Sequence, residues 1–335
     1  RSAIPASFKV DGQNVSFSLG KFNKNLPLVI DPLVYGSYLG STGGFDLTYG
    51  GASDSRGNLY MTGRTFSNAF PILNGPYSVS LQGATDAYLV RMAGDAYALD
   101  YAAYIGGSLA DSGISVKVAE SAGVLWMGGE TTSMDFPGTG GVVPPAGNKW
   151  WFMRWSIAAD GTLTPVSSFY ETRLPTPAFY NPGTYLEGTN NLYRNRTTGT
   201  HWGDMGVTST GVLFFGGTSN AVSADPAFTP YIAGSTQGGS DGFVFRYSNT
   251  GTPLNAVRIG GPGNDILGRF GVRAGGGLVV TGTVLTAGSQ DTSAVTADAA
   301  QFATTANATW PNARLKRNRD AFIVTFSPTM GVWYS

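Results

Sequence analysis

The chain has 335 residues, of which 48 are glycine, 13% are charged and 13% are aromatic. This composition is typical of short strands joined by tight turns, and it excludes helical bundles and disordered chains, which need abundant Ala, Glu and Lys or a high net charge. Basic and acidic residues number 21 each, so we predict no nucleic-acid partner, and no apolar run reaches the ~20 residues of a membrane-spanning helix.

Residues 1–32 precede the repeated part of the chain. Apolar and polar residues alternate on both sides of Asp11-Gly12, a pattern that predicts a β-hairpin. Residues 27–32 (PLVIDP) follow as a short strand that ends at a proline. We interpret residues 1–32 as a hairpin with a lead-in strand, which is either the end of a preceding domain or the start of the sheets that follow.

A glycine-framed segment occurs four times in the rest of the chain. The copies are residues 57–63, 123–129, 211–217 and 276–282, so the first and third intervals between them are nearly equal and the second is longer. A recurrence on this scale indicates an array of similar structural units. The third residue of every copy is a leucine, and we predict equivalent buried positions for all four: Leu59, Leu125, Leu213 and Leu278.

Further motifs recur with the glycine-framed segment. A Tyr-x-x-Tyr phrase begins at Tyr35 and at Tyr101, a Phe-Pro pair begins at Phe70 and at Phe136, and an apolar run, mostly led by Asp, follows in every unit. We therefore predict an all-β fold, a β-propeller of four-stranded antiparallel blades, because one small sheet must stack on neighbours to cover its faces. The propeller would span residues 33–335, with units at about 41–107, 108–171, 172–261 and 262–335. The N-terminal strands would supply a fifth sheet.

These motifs resemble the bacterial SBBP family of β-propeller repeats. The resemblance is carried by YGSYLG at 35–40, GNLYMTG at 57–63, Phe70-Pro71 and DAYLV at 86–90, in that order. It is sharp over residues 27–137 and extends more weakly to residues 205–282. The resemblance implies an exported or cell-surface bacterial protein with a propeller fold, and it implies no catalytic residues.

Three aspartates occupy comparable places before the framed segments. Asp46, Asp111 and Asp265 precede the first glycines of their segments by nearly equal intervals, whereas Asp204 lies much closer to Gly211. If they face the propeller axis they could ring a cation such as calcium, which prefers carboxylate oxygens. Alternatively, each Asp caps its own loop by accepting hydrogen bonds from backbone N–H groups. We favour capping, because no dense Asp-x-Asp spacing supports a metal, and we predict no cofactor.

Residues 171–202 depart most from the repeat and concentrate aromatic side chains among Pro, Asn, Thr and Gly. Propeller loops gather on one face, and aromatic rings in polar loops suit sugars or protein partners. The candidate ligand-binding residues are Phe179, Tyr180, Tyr185, Tyr193 and Trp202, and the alternative is that these rings anchor a long loop. His201 is the sole histidine and no Gly-x-Ser-x-Gly elbow accompanies it, so we predict no catalytic triad.

Two classes of function stay open at this point. The first is a non-enzymatic adhesion, binding or structural module, secreted or on the cell surface, with a glycan or protein partner. The second is a carbohydrate-active enzyme. Because the chain has only four glutamates, its acid/base pair would come from the aspartates named above. We predict the first class.

The positions of the outer-strand motif predict self-association. Residues 34–40 are a copy of the outer strand without a preceding unit, and the same strand is due again at Trp333-Tyr334-Ser335. We predict that the N-terminal strands pair with the fourth unit. This pairing would close the ring within one chain, or join two chains by strand addition.

Overall fold

The computed structural model describes residues 4–12, 14–26, 28, 38–75, 77, 80–94, 98–138, 147–171, 201–220, 240–259, 264–285, 319–330 and 332–334. Within these ranges the one helical segment is a 3-10 turn at Glu120–Ala122, so the predicted all-β fold is confirmed. None of the described residues form a helix long and apolar enough to cross a membrane. The chain divides into two compact units, Arg1–Tyr38 and Leu39–Ser335.

The first unit contains a two-stranded antiparallel sheet of β1 (Ala6–Asp11) and β2 (Asn14–Leu19). The pairing runs from Ala6 opposite Leu19 to Asp11 opposite Asn14. Gly12 lies in the connecting turn with a φ of 58°, a left-handed conformation that glycine adopts without steric strain. In the described part of this unit, β1 and β2 form a sheet of their own.

The second unit contains four sheets, each built from four strands that are consecutive in the sequence. The first comprises β3 (Asp46–Ser53), β4 (Leu59–Thr65), β5 (Asp86–Ala93) and β6 (Ala98–Ile105), and the second β7 (Asp111–Ala119), β8 (Val124–Thr131), β9 (Lys149–Ile157) and β10 (Leu163–Glu171). The third comprises β11 (His201–Val207), β12 (Leu213–Ser219), β13 (Asp241–Tyr247) and β14 (Pro253–Ile259). The fourth comprises β15 (Asn264–Val272), β16 (Leu278–Leu285), β17 (Arg319–Phe326) and β18 (Val332–Tyr334). All neighbouring strands are antiparallel, which confirms the predicted four-stranded antiparallel sheets.

The first glycine of each framed segment closes the turn between the first and second strands of its sheet. These glycines have φ values of 82°, 59°, 84° and 82°, in the order Gly57, Gly123, Gly211 and Gly276. In the first sheet, the Gly57 N–H donates to the Asp54 carbonyl at 3.1 Å. Since a Cβ disfavours the left-handed conformation, the motif needs glycine at this position.

The second glycine of each framed segment lies opposite a β-bulge. The first strand shifts register directly after the residue paired with this glycine, and the pairs are Thr48 with Gly63, Gly113 with Gly129, Trp202 with Gly217 and Leu267 with Gly282. A Cβ at Gly129 would lie far inside contact distance of the Ser112 carbonyl oxygen and 2.8 Å from Trp151 Cζ2. The bulge therefore brings the first strand so close that a side chain does not fit.

Successive residues of the second strand point to opposite faces of each sheet. The leading face carries the leucine of the framed segment, which is Leu59, Leu125, Leu213 or Leu278. The trailing face carries the next residue, which is Tyr60, Trp126, Phe214 or Val279. The trailing faces of the first three sheets each pack on the leading face of the following sheet, and these three junctions hold the main cores of the unit.

Aromatic side chains fill much of these cores. The Phe-Pro motif packs on the leading face of its sheet: Phe136 lies against Trp151 at the first junction with ring centroids 4.8 Å apart, and Phe70 stacks on Tyr88 at 4.7 Å in a separate buried cluster on the first sheet. At the second junction, the Trp126 indole Nε1 donates to the Gly211 carbonyl at 3.0 Å. The buried indole thereby satisfies its polar atom while it covers the next sheet.

The prediction that the four leucines are equally buried is wrong for Leu59. Leu125, Leu213 and Leu278 are 0% exposed, whereas Leu59 is 42% exposed. Each buried leucine is covered by the trailing face of the preceding sheet, but within the described ranges no sheet covers Leu59 in this way. Burial at this position depends on the neighbouring unit and not on the motif itself.

Candidate ligand-binding face

Long connections lie at one end of the four sheets and short turns lie at the other. In a sheet of consecutive antiparallel strands, the first and third strands begin at the end where the second and fourth finish. At this end the second and third strands are joined by residues 66–85, 132–148, 220–240 and 286–318, and β10 is joined to β11 by residues 172–200. The turns at the opposite end are short, such as residues 54–58 and 158–162. We call the end with the long connections the long-loop face.

Four of the five candidate ligand-binding residues lie outside the described residues. These are Phe179, Tyr180, Tyr185 and Tyr193. Their segment follows Glu171, the last residue of β10, and precedes His201, the first residue of β11. Both of these strand ends belong to the long-loop face. The side chain of His201 is also outside the described part of the chain.

Trp202, the fifth candidate, is a core residue. Its ring stacks on Phe152 at a centroid distance of 5.6 Å and an angle of 21°. It also meets Trp150 edge-on at 5.9 Å and is tilted against Phe215 at 4.8 Å. The side chain is buried between the second and third sheets. Because this packing occupies the ring, the structure assigns Trp202 to the junction and not to a surface platform for a ligand.

Four apolar side chains are exposed at the long-loop face of the first two sheets: Phe45 at 78%, Phe66 at 39%, Leu109 at 51% and Met134 at 58%. The first two form an aromatic pair, in which the rings meet edge to face with centroids 6.5 Å apart and planes at 88°. The Phe66 N–H donates to the Phe45 carbonyl at 3.0 Å, so the backbone holds the pair together. The Arg64 guanidinium lies over the Phe66 ring, 4.9 Å from its centroid.

Reasoning from the sequence did not single out the aromatic pair. Phe45 follows two glycines and directly precedes Asp46, the first residue of β3. The corresponding residue before Asp111, the first residue of β7, is Ala110. The first loop thus carries a large apolar residue where the second loop carries an alanine, and this difference in the sequence could have identified Phe45 as a candidate surface residue.

Asp46 and Asp111 both cap the loops that enter their strands. Asp46 Oδ2 accepts a hydrogen bond from the Ser41 N–H at 2.9 Å. Asp111 Oδ2 accepts one from the Gly107 N–H at 2.7 Å and a second from the Ser133 hydroxyl at 2.8 Å. These bonds are the ones that the capping interpretation predicts for an Asp at the start of a strand.

The other two aspartates of the series differ from each other in position. Asp265 lies near the start of β15, where it is buried and its N–H donates to the Ser240 carbonyl at 2.6 Å. Asp204 follows the bulge of β11, accepts the Phe270 N–H at 3.0 Å and lies 3.7 Å from Lys117 Nζ. It therefore links the first strands of the second, third and fourth sheets. Among the residues whose placement is described, no group of three or more His, Asp or Glu residues could hold a metal ion.

Two carboxyls at the junction of the first and second sheets are fully buried. Asp86, the first residue of β5, accepts the Gln82 N–H at 3.0 Å, and the Asp111 N–H donates to the Thr85 carbonyl at 2.8 Å. Burial raises the pKa of each carboxyl to about 6, and repulsion from the Asp111 carboxylate contributes to the raised pKa of Asp86. Both groups thus titrate closer to neutral pH than an ordinary Asp.

These raised pKa values predict a stability that depends on pH. In the unfolded chain both carboxyls have a pKa near 3.8, so between about pH 4 and pH 6 the folded protein binds more protons than the unfolded chain. The free energy of unfolding should therefore fall as pH rises from about 4 to about 6, by roughly 2 kcal/mol for each carboxyl, and then level off. Urea denaturation across this range measures the slope.

The variants Asp86→Asn and Asp111→Asn should each flatten that slope. Asp54 provides a matched control: burial acts to raise its pKa, but hydrogen bonds from Asn58 and Tyr60 outweigh this and lower it. Because its pKa is lowered from 3.8, the Asp54 carboxyl titrates below the pH range in which the slope is measured. The variant Asp54→Asn should therefore leave the slope between pH 4.5 and pH 6 unchanged. Equal slopes in the wild type and in both buried-carboxyl variants would contradict the prediction.

No protein-family model and no curated protein matches this chain. One similar solved structure is that of a luciferin-regenerating enzyme, with 11% sequence identity over 72% of this chain and 85% of that chain. The TM-score of this comparison is 0.19, which is too low to support an inference about fold or activity.

Proposed function

We propose that the protein is a non-enzymatic binding module, secreted by or displayed on a bacterial cell, whose ligand binds at the long-loop face. The observation that carries this proposal is the asymmetry of the connections. The connections between second and third strands, and the one between β10 and β11, are long and lie at one end, while the other end has only short turns. Sheets that anchor long loops at one end provide a rigid scaffold for a variable binding surface.

The proposal includes the propeller architecture. Three successive junctions join trailing face to leading face in the same way, and each sheet has the same meander of four strands. Repetition of one sheet and one type of junction is the principle by which blades are arranged around an axis. The resemblance to SBBP repeats supports the same architecture and an extracellular location.

The aromatic pair suggests the chemistry of the ligand. The exposed ring of Phe45 offers a flat apolar surface, and the buried Arg64 guanidinium packs over the neighbouring ring of Phe66. Aromatic rings of this kind bind the apolar face of a sugar or a side chain of a protein partner. We propose a glycan or protein ligand that contacts the ring of Phe45.

The alternative is a carbohydrate-active enzyme that uses aspartates. One observation favours the enzyme, namely the raised pKa of Asp86 and of Asp111. A carboxyl with a raised pKa is suited to act as a general acid. Both side chains are, however, 0% exposed and accept hydrogen bonds from loop N–H groups. Loop capping explains these hydrogen bonds, and they need no catalytic role to account for them.

A glycan array probed with the full chain, together with a hydrolysis assay on every glycan that binds, tests the proposal. We expect binding without turnover, and we expect the double variant Phe45→Ala/Phe66→Ala to weaken it by about tenfold or more. Val166→Ala removes a similarly exposed side chain from β10, away from this face, and should leave binding unchanged. Hydrolysis that Asp111→Asn abolishes would support the enzyme, and unchanged binding by the double variant would exclude the aromatic pair.

A further inference from the structure

An arginine occurs at the same place of the third strand in the first three sheets. It pairs with the residue that follows the framed leucine on the second strand, so its side chain belongs to the trailing face. These arginines are Arg91, Arg154 and Arg246, and the fourth sheet has Thr325 at this place. All three arginine side chains are half-buried, and the Nε atom of each is buried without a hydrogen bond.

In the first sheet, a β-bulge of the fourth strand supplies a carboxylate to this arginine. Asp100 is the extra residue of the bulge, between the residues that pair with Arg91 and Met92. Its Oδ2 lies 3.4 Å from Arg91 Nη2, and Arg91 Nη1 donates to the Gly161 carbonyl in the second sheet. A bulge turns the extra side chain toward its neighbour's face, which explains how Asp100 reaches the guanidinium.

The second and third sheets have the same bulge without the carboxylate. The extra residue is Val166 beside Arg154 and Leu254 beside Arg246, and these apolar side chains are 46% and 39% exposed. Within the described ranges, neither arginine donates a hydrogen bond or forms an ion pair. Burial lowers the pKa of Arg246, as expected for a guanidinium that loses water and gains no counter-ion.

We propose that Arg154 and Arg246 each bind a side-chain carboxylate of an acidic peptide, in the position that Asp100 takes beside Arg91. The planar guanidinium matches the two oxygens of a carboxylate and retains its charge when partly buried. An exposed apolar side chain lies beside each arginine, and this combination suits a peptide, whose carboxylates and apolar groups are neighbours. It suits an acidic sugar less well.

The two sites lie near the starts of β10 and β14, at the end of the sheets with the short turns. They are therefore separate from the long-loop face, and the proposal does not depend on the ligand of that face. Packed sheets lie about 10 Å apart and an extended chain rises about 3.3 Å per residue, so a segment of at least about four residues reaches from one site to the next. Simultaneous contact with both arginines strengthens binding beyond that of one ion pair.

Fluorescence anisotropy of a labelled octa-aspartate peptide, titrated with the full chain at low ionic strength, tests the proposal. We expect Val166→Asp and Leu254→Asp each to weaken binding by about fivefold or more, because each supplies an internal carboxylate to its arginine. Both substitutions are at exposed side chains and leave the arginines in place, so the fold should persist. Arg154→Gln should weaken binding to a similar extent, and Asp100→Val should strengthen it by freeing Arg91.

Ile323→Asp is the matched control for the added negative charge. Its side chain is 54% exposed on the third strand of the fourth sheet, which has Thr325 in place of the arginine, so peptide binding should equal that of the wild type. Thermal unfolding checks that each variant is folded. The proposal would be overturned if octa-aspartate did not bind, if Ile323→Asp weakened binding as much as Val166→Asp, or if octagalacturonate of equal charge bound more tightly than the peptide.

Discussion

Replacing Leu125 with alanine is expected to lower the free energy of unfolding by about 2–5 kcal/mol. The side chain is 0% exposed at the first junction, in a cluster with Tyr60, Val116 and Trp155. Because the cluster is held between two hydrogen-bonded sheets, the surrounding residues cannot readily collapse into the space that the leucine leaves. Chemical denaturation of the two proteins in parallel measures the difference.

Leu59→Ala is the matched control for this experiment, since Leu59 occupies the same position of the framed segment. Its side chain is 42% exposed, so we expect a loss of about 1 kcal/mol or less. Equal losses at the two positions would show that the motif itself, and not the neighbouring sheet, determines burial. That result would contradict the claim that the trailing face of the preceding sheet buries this leucine.

Gly129→Ala is expected to destabilise the protein by about 3 kcal/mol, or to prevent folding, because the new methyl group has no space. It would overlap the Ser112 carbonyl oxygen of the adjacent strand and approach Trp151 Cζ2 to 2.8 Å. Relief would require the bulge of β7 to open or the indole of Trp151 to move. The midpoint of urea unfolding, or the absence of a folded product, is the measurement.

Gly51→Ala serves as the control for Gly129→Ala. Gly51 also lies in a strand, but a Cβ there meets nothing closer than the Tyr60 carbonyl oxygen at 3.8 Å. An alanine at a strand position with room for it is neutral or slightly stabilising, because it restricts the unfolded chain. If both substitutions had the same small effect, the close approach at the bulge would be refuted.

Much of the fold was predictable because its determinants are local. Turn glycines such as Gly57 and Gly123 must adopt positive φ, and their recurrence revealed the repeat. The framed leucines and the alternation of each strand then defined the sheets. The bulges were not predictable, because the register of β7 against β8 depends on how neighbouring strands meet. Leu59 could not be distinguished from Leu125 for a related reason, since the covering sheet lies elsewhere in the sequence.

The candidate site was predictable in part. The hydrogen bonds of Asp46 and Asp111 are those expected for an Asp before a strand, since the acceptor and its loop are close in sequence. Trp202 looked like part of an aromatic loop, but it falls within β11, where strand alternation and the contact with Phe152 direct it to the core. The exposure of Phe45 could not be predicted from the sequence, because it depends on the tertiary structure.

Electron microscopy of the full chain provides the most direct test of the proposed propeller architecture. Class averages viewed along the axis should show at least four sheets arranged around it, with the trailing face of each packed on the leading face of the next. Sheets stacked in a straight row, without a common axis, would contradict it.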